Sequence, residues 1–251
     1  DGPNRMVEIT DHRIPERRFN NTIPYDNPLA ITFETEKDED FLLDESDGSV
    51  SLTHDQARGG EHAASFTAGA RGPAYLTDHY EARYNNTTWY GFSVFMPEEL
   101  ESGQYTFAKW WYGEADNEYE INERPAPIQL QLHKGMLKIE AYSDANYYSK
   151  PETVQASAVN TRGNARFKSN AWNDLVIEAV MMYDNRGKFN VWLNGEMVVE
   201  YSGPIGFNDD DGHILKMGLE ALQSISSEKT IHIDEYRRGH SFDFVNPAKF
   251  D

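Results

Sequence analysis

The stretch HILKMGLEAL, residues 213–222, alternates between apolar and polar side chains, and it decides the fold class. Leu215, Met217 and Leu219 share one parity, whereas Lys216, Gly218 and Glu220 share the other. Successive side chains of a β-strand point to opposite faces, so the pattern predicts a strand with one buried face and one polar face. Because glycine in a strand lets a ligand or another backbone approach closely, the polar face is a candidate site.

The same period of two recurs along the whole chain, and helical periodicity is weak throughout. His133-Lys134-Gly135 and Asn194-Gly195 are hairpin signals between alternating stretches. About ten strands at regular spacing predict an all-β fold, an antiparallel β-jelly-roll sandwich with a concave substrate groove. The predicted strands are 29–36, 74–85, 88–97, 105–113, 126–135, 136–144, 172–184, 188–203, 213–222 and 229–239.

The domain organisation follows from length and composition. A chain of 251 residues that is 39% hydrophobic and 13% aromatic can build one large core. No internal repeat or linker is recognisable, so we predict a single β-jelly-roll domain over 1–251. Residues 1–27 are polar and contain three prolines, which predicts an irregular N-terminal arm.

Net charge and cysteine content limit the classes of partner and of binding site that we expect for this chain. The formal net charge of −19 argues against a nucleic-acid partner, because phosphate binding needs a basic surface. No apolar run approaches the ~20 residues of a membrane span. The absence of cysteine excludes disulfides and thiolate metal sites, and with Asp1 as first residue we expect a secreted or periplasmic monomer.

The polar parities of the predicted strands combine cations, amides and aromatic rings. Aromatic rings pack on sugar rings, amides bind hydroxyls and cations bind carboxylates, so this mixture favours a sugar-binding groove over an ordinary solvated face. Both interpretations remain open from alternation alone. The residues concerned are His79, Glu81, Arg83, Phe107, Lys109, Trp111, Gln129, Gln131, His133, Lys138, Glu140, Tyr142, Lys216 and Glu220.

Several motifs resemble a known family in their order along the chain. They are TWYGFSVFMPEEL, TFAKWW, a long stretch containing WLNGEMVVEYSGP, HILKMGLEAL and IHIDEYRRG, within about 74–240. The sequence is similar to jelly-roll polysaccharide lyases, the group with glucuronan lyases and heparin lyase I-like enzymes, and more distantly to alginate and ulvan lyases. The resemblance implies an acidic, uronate-containing polysaccharide such as glucuronan, alginate or ulvan as substrate.

The resemblance also implies a reaction, β-elimination. One group neutralises the uronate carboxylate, a base removes the C5 proton, and an acid, often tyrosine, protonates the departing O4. No cofactor is required for this chemistry. The matched motifs depart from the family pattern at four positions. In HYEAR, His79 replaces the first arginine of the family, and in KWW, Lys109 and Trp111 replace a glutamine and a histidine. In KMGLE, Glu220 replaces the family's tyrosine.

The candidate residues follow from these positions. Lys109 is either the base or a ligand of the substrate carboxylate, Arg83 is a carboxylate partner or a salt-bridge residue, and His79 is a base, a neutraliser or a structural residue. Tyr142 is the candidate proton donor, with Tyr147 and Tyr148 as competitors. The catalytic candidates are therefore Lys109, Tyr142, Arg83 and His79, and the substrate-binding candidates are Trp111, Gln129, Gln131, Lys138, Lys216 and Glu220.

A metal site and two other functions remain as alternatives. Glu34 and Asp234 lie where related sandwiches hold a structural Ca²⁺, and carboxylate oxygens suit that ion. A non-catalytic carbohydrate-binding jelly roll would explain the substituted motif positions. A glycoside hydrolase would need two carboxylates flanking the bond, which Glu220 with Glu81 or Glu140 could supply.

Overall fold

The computed structural model describes residues 28–34, 42–44, 47–111, 124–209 and 212–250, with only the backbone at 42–44 and at His79. The predicted N-terminal arm, 1–27, lies outside the described residues. No helix in the described ranges is long and apolar enough to span a membrane.

Strands dominate the described chain, joined by short turns and followed by one short helix, α1 (Phe242–Val245), and a 3-10 turn at Pro247–Lys249. A further 3-10 turn covers Glu98–Leu100. The strands are β1 (Leu29–Ile31), β2 (Leu42–Asp44), β3 (Ser49–Thr53), β4 (Ala63–Ala68), β5 (Ala74–Ala82), β6 (Thr87–Met96), β7 (Gln104–Trp111), β8 (Ile128–His133), β9 (Met136–Asp144), β10 (Gln155–Ser157), β11 (Ala171–Val180), β12 (Lys188–Leu193), β13 (Glu196–Ser202), β14 (Gly206–Phe207), β15 (His213–Ala221) and β16 (Lys229–Gly239).

These strands form two sheets, which confirms the predicted β-jelly-roll sandwich. The front sheet has the order β10-β9-β8-β7-β15-β5-β2, with β14 also paired to β9. The back sheet has the order β13-β12-β11-β6-β16-β4-β3, with β1 also paired to β16. All pairings are antiparallel except the short parallel contact of β14 with β9. The predicted site strands β5, β7, β8, β9 and β15 therefore all belong to the front sheet.

The two predicted hairpins form as tight two-residue turns. Lys134 and Gly135 connect β8 to β9 with φ of 53° and 73°, and Asn194 and Gly195 connect β12 to β13 with φ of 51° and 85°. Positive φ at both central residues is the geometry of type I′ turns, whose twist matches that of the flanking strands. The first of these turns sets the register that aligns β8 with β9 across the site.

The core lies between the two sheets and is built largely from aromatic rings. Trp110 of the front sheet makes edge contacts with Tyr90 and Phe189 of the back sheet, at centroid distances of 5.2 and 5.3 Å. All three side chains are at most 1% exposed. Burying rings of this size supplies much of the free energy that holds the sheets together. Residues of the opposite parity on the front sheet consequently face outward.

One parity prediction was wrong. Phe107 was assigned to the polar face with Lys109, but it is fully buried and contacts Phe92 and Phe167 across the core. The register between β7 and β8 shifts between Thr106 and Ala108, which is a β-bulge. A bulge inserts an extra residue and changes the parity of the strand beyond it. Thr106, rather than Phe107, therefore shares the face of Lys109.

The strand count also differed from the prediction. Within the described part of the first predicted strand, 29–34, a strand forms over Leu29–Ile31, and Phe33 has a φ of 59° that leaves the β region. Residues 35 and 36 of that prediction lie outside the described residues. Strands β3 and β4 were not predicted at all. Both contain small or hydroxylated residues, alanine in β4 and serine in β3, which carry a weak strand signal of their own. Their pairing with each other and with β16 decides their conformation.

Candidate active site

Strand register sets polar residues side by side across the outer face of the front sheet. Lys216 of β15 pairs with Thr77 on one side and with Lys109 on the other. Lys109 pairs in turn with Gln129, and Gln129 pairs with Glu140. These five residues form a row that crosses β5, β15, β7, β8 and β9, which we call the central row. Neighbouring strands lie ~4.8 Å apart, so the row is about 19 Å long.

Lys109, Glu220 and Tyr75 form the polar centre of this face. The ammonium of Lys109 lies 2.9 Å from Oε2 of Glu220, and the phenol of Tyr75 donates to the same oxygen at 2.6 Å. The side chain of Lys109 is 12% exposed and that of Glu220 is 34% exposed. Glu220 thus combines an ion pair and a short neutral hydrogen bond while part of its carboxylate still faces solvent.

The surroundings shift the protonation of Glu220 and Tyr75 in opposite directions. Burial alone would raise the pKa of Glu220, but the charge of Lys109 and the hydrogen bonds from Tyr75 and Lys109 hold that pKa below its usual value. Burial, and then the charge and hydrogen bond of Glu220, raise the pKa of Tyr75 well above its usual value. At neutral pH the centre therefore contains a carboxylate and a protonated phenol.

Trp111 adds an aromatic surface next to the two lysines. The ammonium of Lys109 lies 5.0 Å from the Trp111 ring centroid, and that of Lys216 lies 5.5 Å from it. Lys109 also lies 4.4 Å from the ring of Tyr75. Cations within about 6 Å of a ring face are attracted to it, so the Trp111 ring attracts both ammonium groups. The sequence-predicted residues Lys109, Trp111 and Lys216 are thus brought together.

Gly218 is required by the approach of a neighbouring strand. A Cβ atom added to Gly218 would lie 1.9 Å from the carbonyl oxygen of Ala74 and 2.9 Å from Cα of Tyr75. Gly218 pairs with Tyr75 across β15 and β5. The glycine therefore admits backbone rather than leaving an open cavity, and this close approach lets the Tyr75 side chain reach Glu220.

The two predicted glutamines differ in accessibility. Gln129 is half-buried on the central row and accepts a 3.4 Å hydrogen bond from the hydroxyl of Thr106. Gln131 is only 4% exposed, between Thr106 and Lys138 in register. The structure accordingly puts Gln129 at the surface of the site and Gln131 in the layer beneath it.

Tyr142, the predicted proton donor, lies apart from the polar centre. It belongs to β9, two strands away from Lys109 in the sheet order, and its phenol lies 3.5 Å from Glu140. Glu140 also forms a 2.7 Å ion pair with Lys138. Burial and the charge of Glu140 raise the pKa of Tyr142. Lys138, Glu140 and Tyr142 therefore form a separate group at the far end of the central row.

Two other catalytic candidates lie on or beyond β5. Arg83 follows the last residue of that strand, and its neighbour Ala82 pairs with His213 at the start of β15. The contacts of Glu220 are with Lys109 and Tyr75, and the role of Arg83 stays a prediction. The side chain of His79 lies outside the described part of the structure, and its role stays a prediction.

The two candidate calcium ligands hold a loop. Asp234 accepts hydrogen bonds from the backbone N–H groups of Arg58, Gly59 and Glu235. Burial raises its pKa to about 6 in spite of these donors. Glu34 accepts the backbone N–H groups of residues 61 and 62. With donors occupying these oxygens and no cluster of three acidic or histidine ligands in the described ranges, the residues do not fit a bound ion as they stand, and calcium stays a prediction.

Tyr75 is the site residue that the sequence did not indicate. It precedes HYEAR in the same alternating stretch and has the parity of Thr77 and Glu81, so alternation alone assigned it to the outer face. Its significance depends on the pairing of β5 with β15, which joins residues 145 positions apart. That pairing brings Tyr75 to the carboxylate of Glu220. Glu220 itself occupies the position on β15 where the family pattern has a tyrosine.

Comparison with known proteins agrees with this architecture. The endo-β-1,4-glucuronan lyase from the fungus Trichoderma reesei superimposes with a TM-score of 0.70 at 19% identity, covering 83% of this chain and 93% of that one. An alginate lyase from Aplysia kurodai gives 0.53 at 12% identity, covering 77% and 87%. The alginate lyase vAL-1 from a Chlorella virus gives 0.51 at 10%, covering 77% and 90%. At these identities the likeness shows the shared fold.

Family membership rests on the sequence match. No curated protein matches the chain. The family model described as polysaccharide lyase matches residues 25–237, which include every strand of the outer-face site. The chain therefore belongs to the polysaccharide lyase family and is an enzyme of that class.

Proposed function

We propose that this lyase cleaves a uronate-containing polysaccharide by β-elimination at the Lys109–Glu220–Tyr75 centre. The observation that carries the proposal is the pairing of Lys109 with Lys216 beside the ring of Trp111. Two adjacent ammonium groups and an aromatic ring suit a pyranose that bears a carboxylate. In a chain with a net charge of −19, this local positive charge also supports an acidic substrate.

Neutralisation of the substrate carboxylate is the first requirement of the reaction. The two lysines bind the uronate carboxylate, which withdraws electron density from C5 and makes its proton more acidic. Nζ of Lys109 lies 2.9 Å from the carboxylate of Glu220, in a salt bridge. Of the two roles considered for Lys109, this favours a cationic one over that of a neutral base.

Glu220 and Lys109 then carry the two proton transfers. The carboxylate of Glu220 takes the C5 proton, the C5–H electron pair forms the C4=C5 double bond, and the C4–O4 bond breaks. The ammonium of Lys109 gives a proton to O4 as it leaves. The proton on Glu220 next passes to the neutral amine of Lys109 across their 2.9 Å contact, which restores both groups.

Tyr75 acts as a positioning residue in this scheme. It is 3% exposed and donates to Oε2 of Glu220, so it orients the carboxylate without needing to touch the substrate. A tyrosine with a strongly raised pKa remains protonated and keeps donating throughout the cycle. The Tyr75→Phe variant should therefore lower kcat while leaving KM nearly unchanged, since only the orientation of Glu220 is lost.

Incubation with glucuronan, alginate, ulvan and heparin tests the proposed function. Elimination produces a double bond conjugated with the carboxylate, so ultraviolet absorbance should rise together with new reducing ends for at least one polymer. New reducing ends without absorbance would instead identify a hydrolase. Binding without either product would identify a non-catalytic carbohydrate-binding protein and overturn the proposal.

The Lys109→Ala variant links the activity to the site. Turnover of the cleaved polymer should fall to background, whereas the fold is retained because the side chain faces outward. A near-normal kcat in this variant would show that Lys109 takes no part in the reaction. Circular dichroism and thermal unfolding of the same sample check that the loss is not a loss of fold.

A further inference from the structure

A cleft at the edge of the front sheet lies outside the polar centre described above. It has a volume of about 460 Å³ and runs between β9 and the segment 156–161. Lys138, Glu140 and Tyr142 line one side, and Ser157, Ala158 and Asn160 line the other. We refer to it as the β9 cleft.

The cleft opens because β9 is only partly covered at this edge. Strand β10 pairs with β9 only over Ala141–Ser143, and the backbone N–H of Leu137 donates to Ala165 at 2.8 Å. Ile139 lies between these two contacts and lines the cleft. The lining is therefore mixed: apolar carbon from Leu137, Ile139 and Ala141 alternates with an ammonium, a carboxylate and a phenol, and the facing segment adds a hydroxyl and an amide. Such a mixture suits a sugar, which presents apolar ring faces as well as hydroxyl groups.

The cleft is aligned with the polar centre. Glu140 ends the central row, and two strand spacings separate it from Lys109. That separation is about 10 Å at ~4.8 Å per strand, which matches the length of about two pyranose residues. A polysaccharide chain that lies along the central row with its reacting sugar over Lys109 therefore brings another of its sugars to the cleft.

We propose that the β9 cleft is a binding subsite for a sugar residue of the same uronate polymer, about two residues from the bond that is cleaved. The inference rests on the proposed function. Tyr142 supplies its ring or hydroxyl to this sugar, Glu140 accepts from sugar hydroxyls, and Lys138 donates to hydroxyl or carboxylate oxygens. Tyr142 is in this view a substrate-binding residue and not the proton donor, since it lies two strands from Lys109.

Filling the cleft tests the inference. Ala158 is exposed and lies on the rim, so the Ala158→Trp variant should block the cleft without disturbing the core. Ala248→Trp is the matched control, because Ala248 is also exposed and its 3-10 turn contacts the back sheet. The measurement is calorimetric binding of a disaccharide and a hexasaccharide, both cut from glucuronan, in the slow Glu220→Gln background.

The expected result is a selective loss for the longer ligand. Ala158→Trp should weaken hexasaccharide binding at least tenfold and leave disaccharide binding unchanged, because a disaccharide over Lys109 is too short to reach the cleft, whereas Ala248→Trp should change neither. Equal affinities of Ala158→Trp and its parent for the hexasaccharide would overturn the inference, as would a parent protein that binds no hexasaccharide. Should another of the four polymers be the one that is cleaved, its own oligosaccharides are used, with the same outcomes.

Failure of the subsite is distinguishable from failure of the proposed function. The unmodified enzyme either produces the double-bond absorbance or does not, independently of Ala158. The Tyr142→Phe variant provides a second readout: kcat should stay within about tenfold of the unmodified enzyme if Tyr142 only binds substrate. A larger fall in kcat with unchanged hexasaccharide affinity would show that Tyr142 is a proton donor, and would overturn its assignment to the subsite.

Discussion

Replacement of Glu220 by glutamine is the most informative perturbation of the proposed centre. The variant keeps the shape of the side chain but removes the charge that receives 2.6 and 2.9 Å hydrogen bonds from Tyr75 and Lys109. A positioned general base contributes about 10²–10⁴ to the rate, so kcat should fall by that factor, which corresponds to about 3–5 kcal/mol. KM should change little, because Lys109 and Lys216 still bind the carboxylate.

Stability should change much less than activity in this variant. Lys109 loses a charged partner while 12% exposed, but Glu220 is 34% exposed and solvent screens its side of the pair. We expect a loss of about 1 kcal/mol, which lowers the Tm of a chain of this size by about 2–4 °C. Thermal unfolding followed by circular dichroism, together with the absorbance assay, measures both quantities on one sample.

Glu178→Gln is the matched control for this experiment. Glu178 forms a 2.8 Å ion pair with Lys188 and accepts a 2.9 Å hydrogen bond from Asn190, so its environment resembles that of Glu220 on the opposite sheet. This control should lose a similar amount of stability and retain kcat. Glu220→Gln with a kcat within about tenfold of the unmodified enzyme would refute the role of Glu220 as proton acceptor. Equal losses of kcat in both variants would assign the effect to destabilisation.

Three further outcomes are expected. Because the pKa of Glu220 is held below its usual value of 4.5, its carboxylate stays ionised as the pH falls, and kcat/KM should decline on the acidic side only below pH 4.5; a decline that begins near neutral pH would contradict Glu220 as base. Gly218→Ala should cost at least about 1–3 kcal/mol in urea unfolding and reduce kcat, because the added Cβ meets the Ala74 carbonyl; unchanged unfolding would refute the close approach. Asp78→Asn should cost about 3–5 kcal/mol by removing the carboxylate charge that lies 2.7 Å from buried Arg238, and an unchanged urea midpoint would argue against that ion pair.

The sequence by itself determined the layers of the fold and much of the site's outer face. Alternation has a fixed period of two, so HILKMGLEAL had to direct Lys216 and Glu220 to one side and Leu215, Met217 and Leu219 to the core, as the burial of β15 confirms. The turns at Lys134-Gly135 and Asn194-Gly195 were predictable for the same local reason, since a two-residue hairpin turn with positive φ favours glycine, and each turn has a glycine at its second position.

Only the tertiary structure decided which outward-facing residues meet. Alternation identifies the face on which a residue lies but not the neighbouring strand. A single bulge at Phe107 turns that side chain into the core, so that Thr106 lies on the outer face in its place. The contacts that define the centre join Glu220 to Tyr75 and Lys109, which are 145 and 111 positions away along the chain. Sheet order and register create such contacts, and both depend on the packing of the entire sandwich rather than on any local stretch.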